Sequence, residues 1–134
     1  MTCTNWINWE RMIIDGLYAY ETMLHEDGEI SAIVTWNRKS HVYKGHFPGL
    51  AVTPGVCQLL MIKEILEGEL GLRLLLCEAK NIKFTSIHEP DRDNPVEVKI
   101  SYMSEGNEKI KVRAAMQKGE TIYLKFKGEF IRQN

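Results

Sequence analysis

Residues 56–66 carry Val56, Cys57, Leu59, Leu60, Met61, Ile62, Ile65 and Leu66, with little polar to separate them. Wound at about 3.6 residues per turn, these positions leave almost no polar face in the first two turns. A helix apolar nearly all round has to be enclosed by protein. Polar residues return at Lys63, Glu64 and Glu67, and Gly68 and Gly71 loosen the far end. A helix is therefore predicted over 56–70, and the rest of the chain must supply a surface that curls about it.

That surface reads as a sheet. Residues 16–26 and 29–36 are rich in β-branched and aromatic side chains, and Asp27-Gly28 between them is a strong hairpin signal. Alternation of apolar and polar residues predicts three more strands. Val96, Val98, Ile100 and Tyr102 share one parity, as do Ile110, Val112, Ala114 and Met116, then Ile122, Leu124, Phe126, Gly128 and Phe130. Asn107 and Gly119 mark the turns between them. Residues 73–87 suit helix or strand at their start and strand in their second half. Segment 37–53 is irregular, punctuated by Gly45, Pro48, Gly49 and then Pro54, and HEPDRDN (88–94) is a turn region. A short helix over 8–14, with Asn8 as its cap, completes the reading. The expected class is α+β: five to six antiparallel strands wrapped around one long central helix.

A length of 134 residues suits a single domain spanning 1–134. A net charge of −1 gives no electrostatic reason to expect nucleic acid or an anionic membrane as partner. Cys3, Cys57 and Cys77 show no metal-ligand spacing, and the four histidines suggest no metal site. Reduced thiols, no basic leader and no apolar run of about 20 residues lead to the expectation of a soluble, cytoplasmic protein.

GHFPG (45–49), followed at the right gap by PGV (54–56) entering an apolar helix, resembles the hot-dog-fold 3-hydroxyacyl-acyl-carrier-protein dehydratases. It is closest to the small dehydratase-like branch of fatty-acid and aryl-polyene-type synthesis. The resemblance spans most of the chain, from the hairpin through the helix to the last three strands. It implies His46 as the base that takes a proton from C2 of the thioester, and the Gly55 N–H as donor to the growing oxyanion. Histidine suits the first task because its pKa of about 6.5 lies near working pH. An unpaired amide at the positive end of a helix suits the second. Phe47, Pro54, Val56 and Leu60 are the expected substrate contacts. No cofactor of the protein's own is implied, since the substrate arrives as a phosphopantetheine or coenzyme A thioester. The implied partners are acyl carrier protein or acyl-CoA, a second copy in a homodimer or higher homo-oligomer, and a heteromeric dehydratase partner.

One position departs from the pattern. The family's acid, Glu or Asp, stands fourteen residues after the histidine, and that position is Leu60 here. A leucine donates no proton. Glu64, one helical turn on, is the candidate substitute. A solvated glutamate where the helix surfaces is the other reading of it.

Gln58 offers a hydrogen bond at most. His46 taken alone equally fits a histidine bonded to turn backbone. His25, His41 and His88 read as solvated surface residues, and Cys57 as small core filler. Arg38, Lys39 and Lys44 fit either an acidic carrier protein or a plain charged loop. Three functions follow: a dehydratase, a non-catalytic acyl-thioester-binding or partner subunit, and a hot-dog thioesterase.

Overall fold

The computed structural model describes residues 16–44 and 50–133. The helix expected over 8–14 and the 45–49 segment with His46 and Phe47 lie outside the described residues. Six strands follow one another: β1 (Tyr18–Glu26), β2 (Glu29–Trp36), β3 (Arg73–Phe84), β4 (Val96–Glu105), β5 (Lys109–Lys118) and β6 (Thr121–Gln133). They form one antiparallel sheet in the order β1-β2-β4-β5-β6-β3. Helix α1 (Gly55–Leu70) enters between β2 and β3, after a single 3-10 turn at His41–Tyr43.

The predicted hairpin forms because Asp27 and Gly28 both hold positive φ, 51° and 77°. A two-residue turn of that kind matches the right-handed twist of the strands it joins. Alternation along β2, β4 and β5 sends Ile30, Ala32, Val34, Val96, Val98, Ile100, Ile110, Val112, Ala114 and Met116 to one face, all buried. Helix α1 covers that face. Met61, Ile62, Ile65 and Leu66 are all but fully buried and belong with the sheet residues to one apolar cluster. The middle of the helix also buries Lys63, which pairs with Glu67 at 3.3 Å.

The stretch that suited helix or strand at its start is strand from Arg73 to Phe84, three residues short of the expected end. Gly71, in the left-handed region at φ 66°, ends α1 and bonds its N–H to the Glu67 carbonyl. The Glu67 carboxylate accepts the Leu74 N–H at 2.8 Å, which starts the chain along β3. Further on, register shifts fall between Leu76 and Glu78 and between Ala79 and Asn81. Gly128 of β6 makes this irregular pairing possible, because a Cβ there would stand 2.5 Å from the Glu78 carbonyl oxygen. No described helix is long and apolar enough to cross a membrane.

The helix–sheet contact dominates stability. Met61→Ala is expected to cost about 2–5 kcal/mol in urea unfolding. Ile87→Ala, at a side chain 62% exposed, is expected to stay within about 0.5 kcal/mol. Equal losses at both positions would mean that the helix is not enclosed.

Candidate active site

Among the described residues no side chain caps the start of helix α1. Pro54 occupies the capping position in extended conformation, and the first turn holds no acidic side chain. The Cys57 and Gln58 amides both bond to the Pro54 carbonyl, at 3.1 and 3.2 Å. The N–H groups of Gly55 and Val56 precede any possible intrahelical acceptor and point out along the axis. They lie at the positive end of the helix dipole, where negative charge is favoured. At Gly55 the backbone is approached very closely. A Cβ there would fall 2.6 Å from Cζ of Phe84, the last residue of β3. Val56 is 45% exposed and Phe84 50%, so this helix tip is open at the surface of the single chain.

A buried polar chain fixes the residue that leads into the helix. Tyr43 Oη and Thr53 Oγ1 are 2.8 Å apart, and Thr53 Oγ1 and His88 Nδ1 2.7 Å. On its other side, His88 Nε2 faces the Asp93 carbonyl at 3.3 Å. A carbonyl only accepts, so Nε2 carries the proton and Nδ1 accepts. Thr53 then donates to His88, and Tyr43 donates to Thr53. The backbone repeats the link, with Thr53 N–H bonded to the His88 carbonyl at 2.9 Å and Gln58 Nε2 bonded to the Thr53 carbonyl at 3.2 Å. Thr53 is thus held on every side, and the Gly55 amide two residues on inherits its position.

Burial sets the charge state of this chain. Desolvation lowers the His88 pKa, and burial pushes the Tyr43 hydroxyl up to about 12. The imidazole sits between Trp36 and Tyr123, with ring centroids 5.8 and 5.1 Å away. A protonated His88 would donate from Nδ1 to Thr53 Oγ1, leaving the Thr53 proton only Tyr43 Oη to turn to and reversing that bond as well. The neutral ring is the form that fits.

Farther along the helix, β1 runs beside α1 and meets it with polar side chains. Tyr18 Oη donates to Glu64 Oε1 at 2.5 Å. Burial, then that hydrogen bond, raises the Tyr18 pKa, so the phenol stays protonated and donating. Tyr20 lies over Gly68, where a Cβ would come 2.8 Å from its hydroxyl. Thr22 donates to Glu69 at 3.0 Å, and His25 bridges Glu69 and Tyr102 at 3.1 and 2.7 Å.

The expected site residues divide accordingly. Pro54, Gly55 and Val56 form the helix tip. Leu60 lies one turn inward and belongs to the apolar cluster, 9% exposed. Glu64 lies a further turn along, exposed but engaged by Tyr18. Cys57 is core filler as expected, and burial pushes its thiol up to about 11.

One histidine reading is corrected. His88 is fully buried, because the charged 88–94 loop folds back beneath Trp36 through Asn94, whose amide group pairs both backbone atoms of Trp36 at 2.9 Å. His25 is exposed, as expected, and its ring also bridges Glu69 and Tyr102 at the β1–α1 seam. Thr53, Tyr43 and Tyr18 escaped sequence reasoning, since a lone Thr or Tyr in an irregular or alternating segment carries no spacing signal. Among the described residues no group of three or more His, Cys, Asp or Glu is placed to hold a metal.

Neutral His88 makes stability pH-dependent with a definite sign. Its folded pKa lies below the free value of 6.5, so the unfolded chain takes up a proton that the folded site refuses. The contribution is complete above about pH 6.5 and is lost as pH falls below it. The urea midpoint is expected to drop between about pH 7.5 and pH 5 in the wild type, and to drop less in His88→Gln. A variant that tracks the wild-type curve would contradict a neutral His88.

Residues 22–127 match the ApeI-like family, described as ApeI dehydratase. No curated protein matches the chain in sequence. Among solved structures, the chain resembles a hypothetical thioesterase with coenzyme A from Streptococcus pneumoniae, with TM-score 0.67 and 13% identity over 96% of this chain and 97% of that one. The dehydratase heterocomplex ApeI:P from Xenorhabdus doucetiae aligns with TM-score 0.64 and 18% identity, over 85% of this chain and 99% of that one. The E. coli PaaI protein from the phenylacetic acid degradation operon aligns with TM-score 0.66 and 8% identity, over 98% of this chain and 91% of that one. At these identities the structures speak for the fold, a six-stranded antiparallel sheet with one helix of the hot-dog kind, while the family match covers most of the sequence. The chain belongs to the ApeI-like dehydratase family.

Proposed function

We propose that the Gly55 end of α1 receives a 3-hydroxyacyl thioester and that the reaction is the loss of water from it. The observation that carries this reading is the uncapped Gly55 amide, held in place through Thr53, in a chain of dehydratase family. In the proposed reaction His46 takes the C2 proton. The released electron pair moves onto the thioester carbonyl, where the Gly55 N–H meets the charge at the positive helix end. The C3–O bond then breaks, and a proton from the acid leaves with the hydroxyl as water. Glu64, oriented by Tyr18, is assigned as that acid because position 60 offers none. Phe47, Pro54, Val56 and Leu60 are assigned to the walls about the acyl chain. The substrate is carried on the phosphopantetheine of an acyl carrier protein or on coenzyme A, in fatty-acid or polyene-type lipid synthesis.

A partner-subunit reading has its own support in Leu60 and in β3. That twelve-residue strand lies at the sheet edge, with Leu76, Ile82 and Phe84 exposed. A long open edge is a template for pairing with another chain. A second copy, or a different dehydratase chain, laid along β3 would cover Phe84 and with it the Gly55 tip. The acid missing at position 60 would then come from that chain. The thioesterase reading rests on the fold shared with the Streptococcus pneumoniae protein.

Two measurements separate these readings. With a 3-hydroxyacyl thioester, Leu60→Glu is expected to raise formation of the enoyl product by about 10²–10⁴-fold, and adding His46→Ala is expected to abolish the gain. A folded but inert Leu60→Glu protein would overturn the placement of the acid position on this helix. Released thiol, followed with a chromogenic reagent, is expected to be absent. If it appears and Glu64→Gln removes it, the reaction is hydrolysis.

A further inference from the structure

The face of the sheet turned away from α1 carries a compact block of positive charge. Two rungs of directly opposed residues cross β4, β5, β6 and β3. One reads Lys99, Ala115, Lys125, Lys83, and the next reads Ser101, Arg113, Lys127, Asn81. Lys83 stands opposite Lys125, and Arg113 opposite Lys127. Like charges directly opposed across strands are destabilising. Among the described residues Lys83, Arg113, Lys125 and Lys127 make no ion pair, and Lys99 has only Glu97 at 3.7 Å. All five are exposed and border a shallow trough of about 370 Å³ whose floor is formed by the small Ala115 and Ser101. In a chain of net charge −1, this is segregation of charge rather than a general excess.

We propose that this trough docks an acidic helix of a partner protein. The dimensions agree. Adjacent strands are about 4.8 Å apart and the two rungs about 7 Å apart, so the block measures roughly 14 by 7 Å. Carboxylates three or four residues apart on a helix lie about 5–6 Å from one another, and such a row meets cations at this pitch. Two features favour a protein over a nucleic acid. Neither rung holds an aromatic side chain on which a base would stack. On the β2 side the block is also bordered by carboxylates, Glu97 beside Lys99 and Glu29 bonded to Ser101. A phosphate backbone continuing past the trough would meet them, whereas a short acidic helix ends inside. The inference does not rest on the thioester reading, because the trough and the helix tip lie on opposite faces of the sheet.

The test uses the full chain and a fluorescent peptide of about sixteen residues, mostly alanine, with glutamates three and four residues apart along one face. Fluorescence anisotropy is expected to show binding that weakens between about 25 and 300 mM salt. The Lys125→Gln/Lys127→Gln variant is expected to weaken it about tenfold, and the off-patch Arg73→Gln/Arg132→Gln variant less than about twofold. Relief of the opposed charges is also expected to raise the Tm of the Lys125→Gln/Lys127→Gln protein, which shows at once that it is folded. The proposal is overturned if the peptide does not bind or if the off-patch variant loses as much. It is also overturned if a ten-nucleotide oligothymidylate binds more tightly than the peptide, or if the Tm fails to rise.

Discussion

Enclosure of α1 by the inner face of the sheet is the contact on which everything else is built. Met61, Ile62, Ile65 and Leu66 have no exposed side-chain surface to speak of, and the strands that cover them alternate so that Val98, Ile100, Val112 and Leu124 face inward. Burial of such side chains is worth about 1.5–3 kcal/mol each, far more than any single surface hydrogen bond in the molecule. The helix is poorly suited to solvent on either side of its first two turns, so it has no alternative site. Its tip, where the Gly55 and Val56 amides have no partner among the described residues, is placed as a by-product of that packing.

Around this contact the polar side chains act as locators. Thr53 is fastened by Tyr43, His88 and Gln58 before the helix begins, and Tyr18, Thr22 and His25 grip the other half of the helix from β1. These bonds contribute little net free energy individually, about 0.5–1.5 kcal/mol for a typical one. Their effect is directional. They select one rotation of an apolar rod that hydrophobic packing alone would hold less specifically.

Much of this architecture was legible in the sequence for physical reasons. Period-2 alternation made β4, β5 and β6 readable, Asp27-Gly28 made the first hairpin readable, and the helix declared itself by having no polar side. The glycine at the helix start was legible through its motif. The start of β3 was not, because Leu74, Leu75 and Leu76 in a row carry neither period, and what decides for strand is a left-handed Gly71 and a carboxylate four residues before it. His88 was misread because a charged loop normally stays in water, and here Asn94 draws it under Trp36 by copying the pairing of a strand. The Tyr18 contact to Glu64 joins positions 46 residues apart. No local pattern announces a bond of that range.

Gly68 sets how closely β1 lies against the far half of the helix. The absent Cβ lets the Tyr20 hydroxyl rest against the backbone. Bulk added at residue 68 would meet the far end of the Tyr20 side chain, which has to turn aside on its edge strand. The cost therefore falls on the seam that also holds the Tyr18 bond to Glu64, and a bare backbone at one helical position keeps that seam closed.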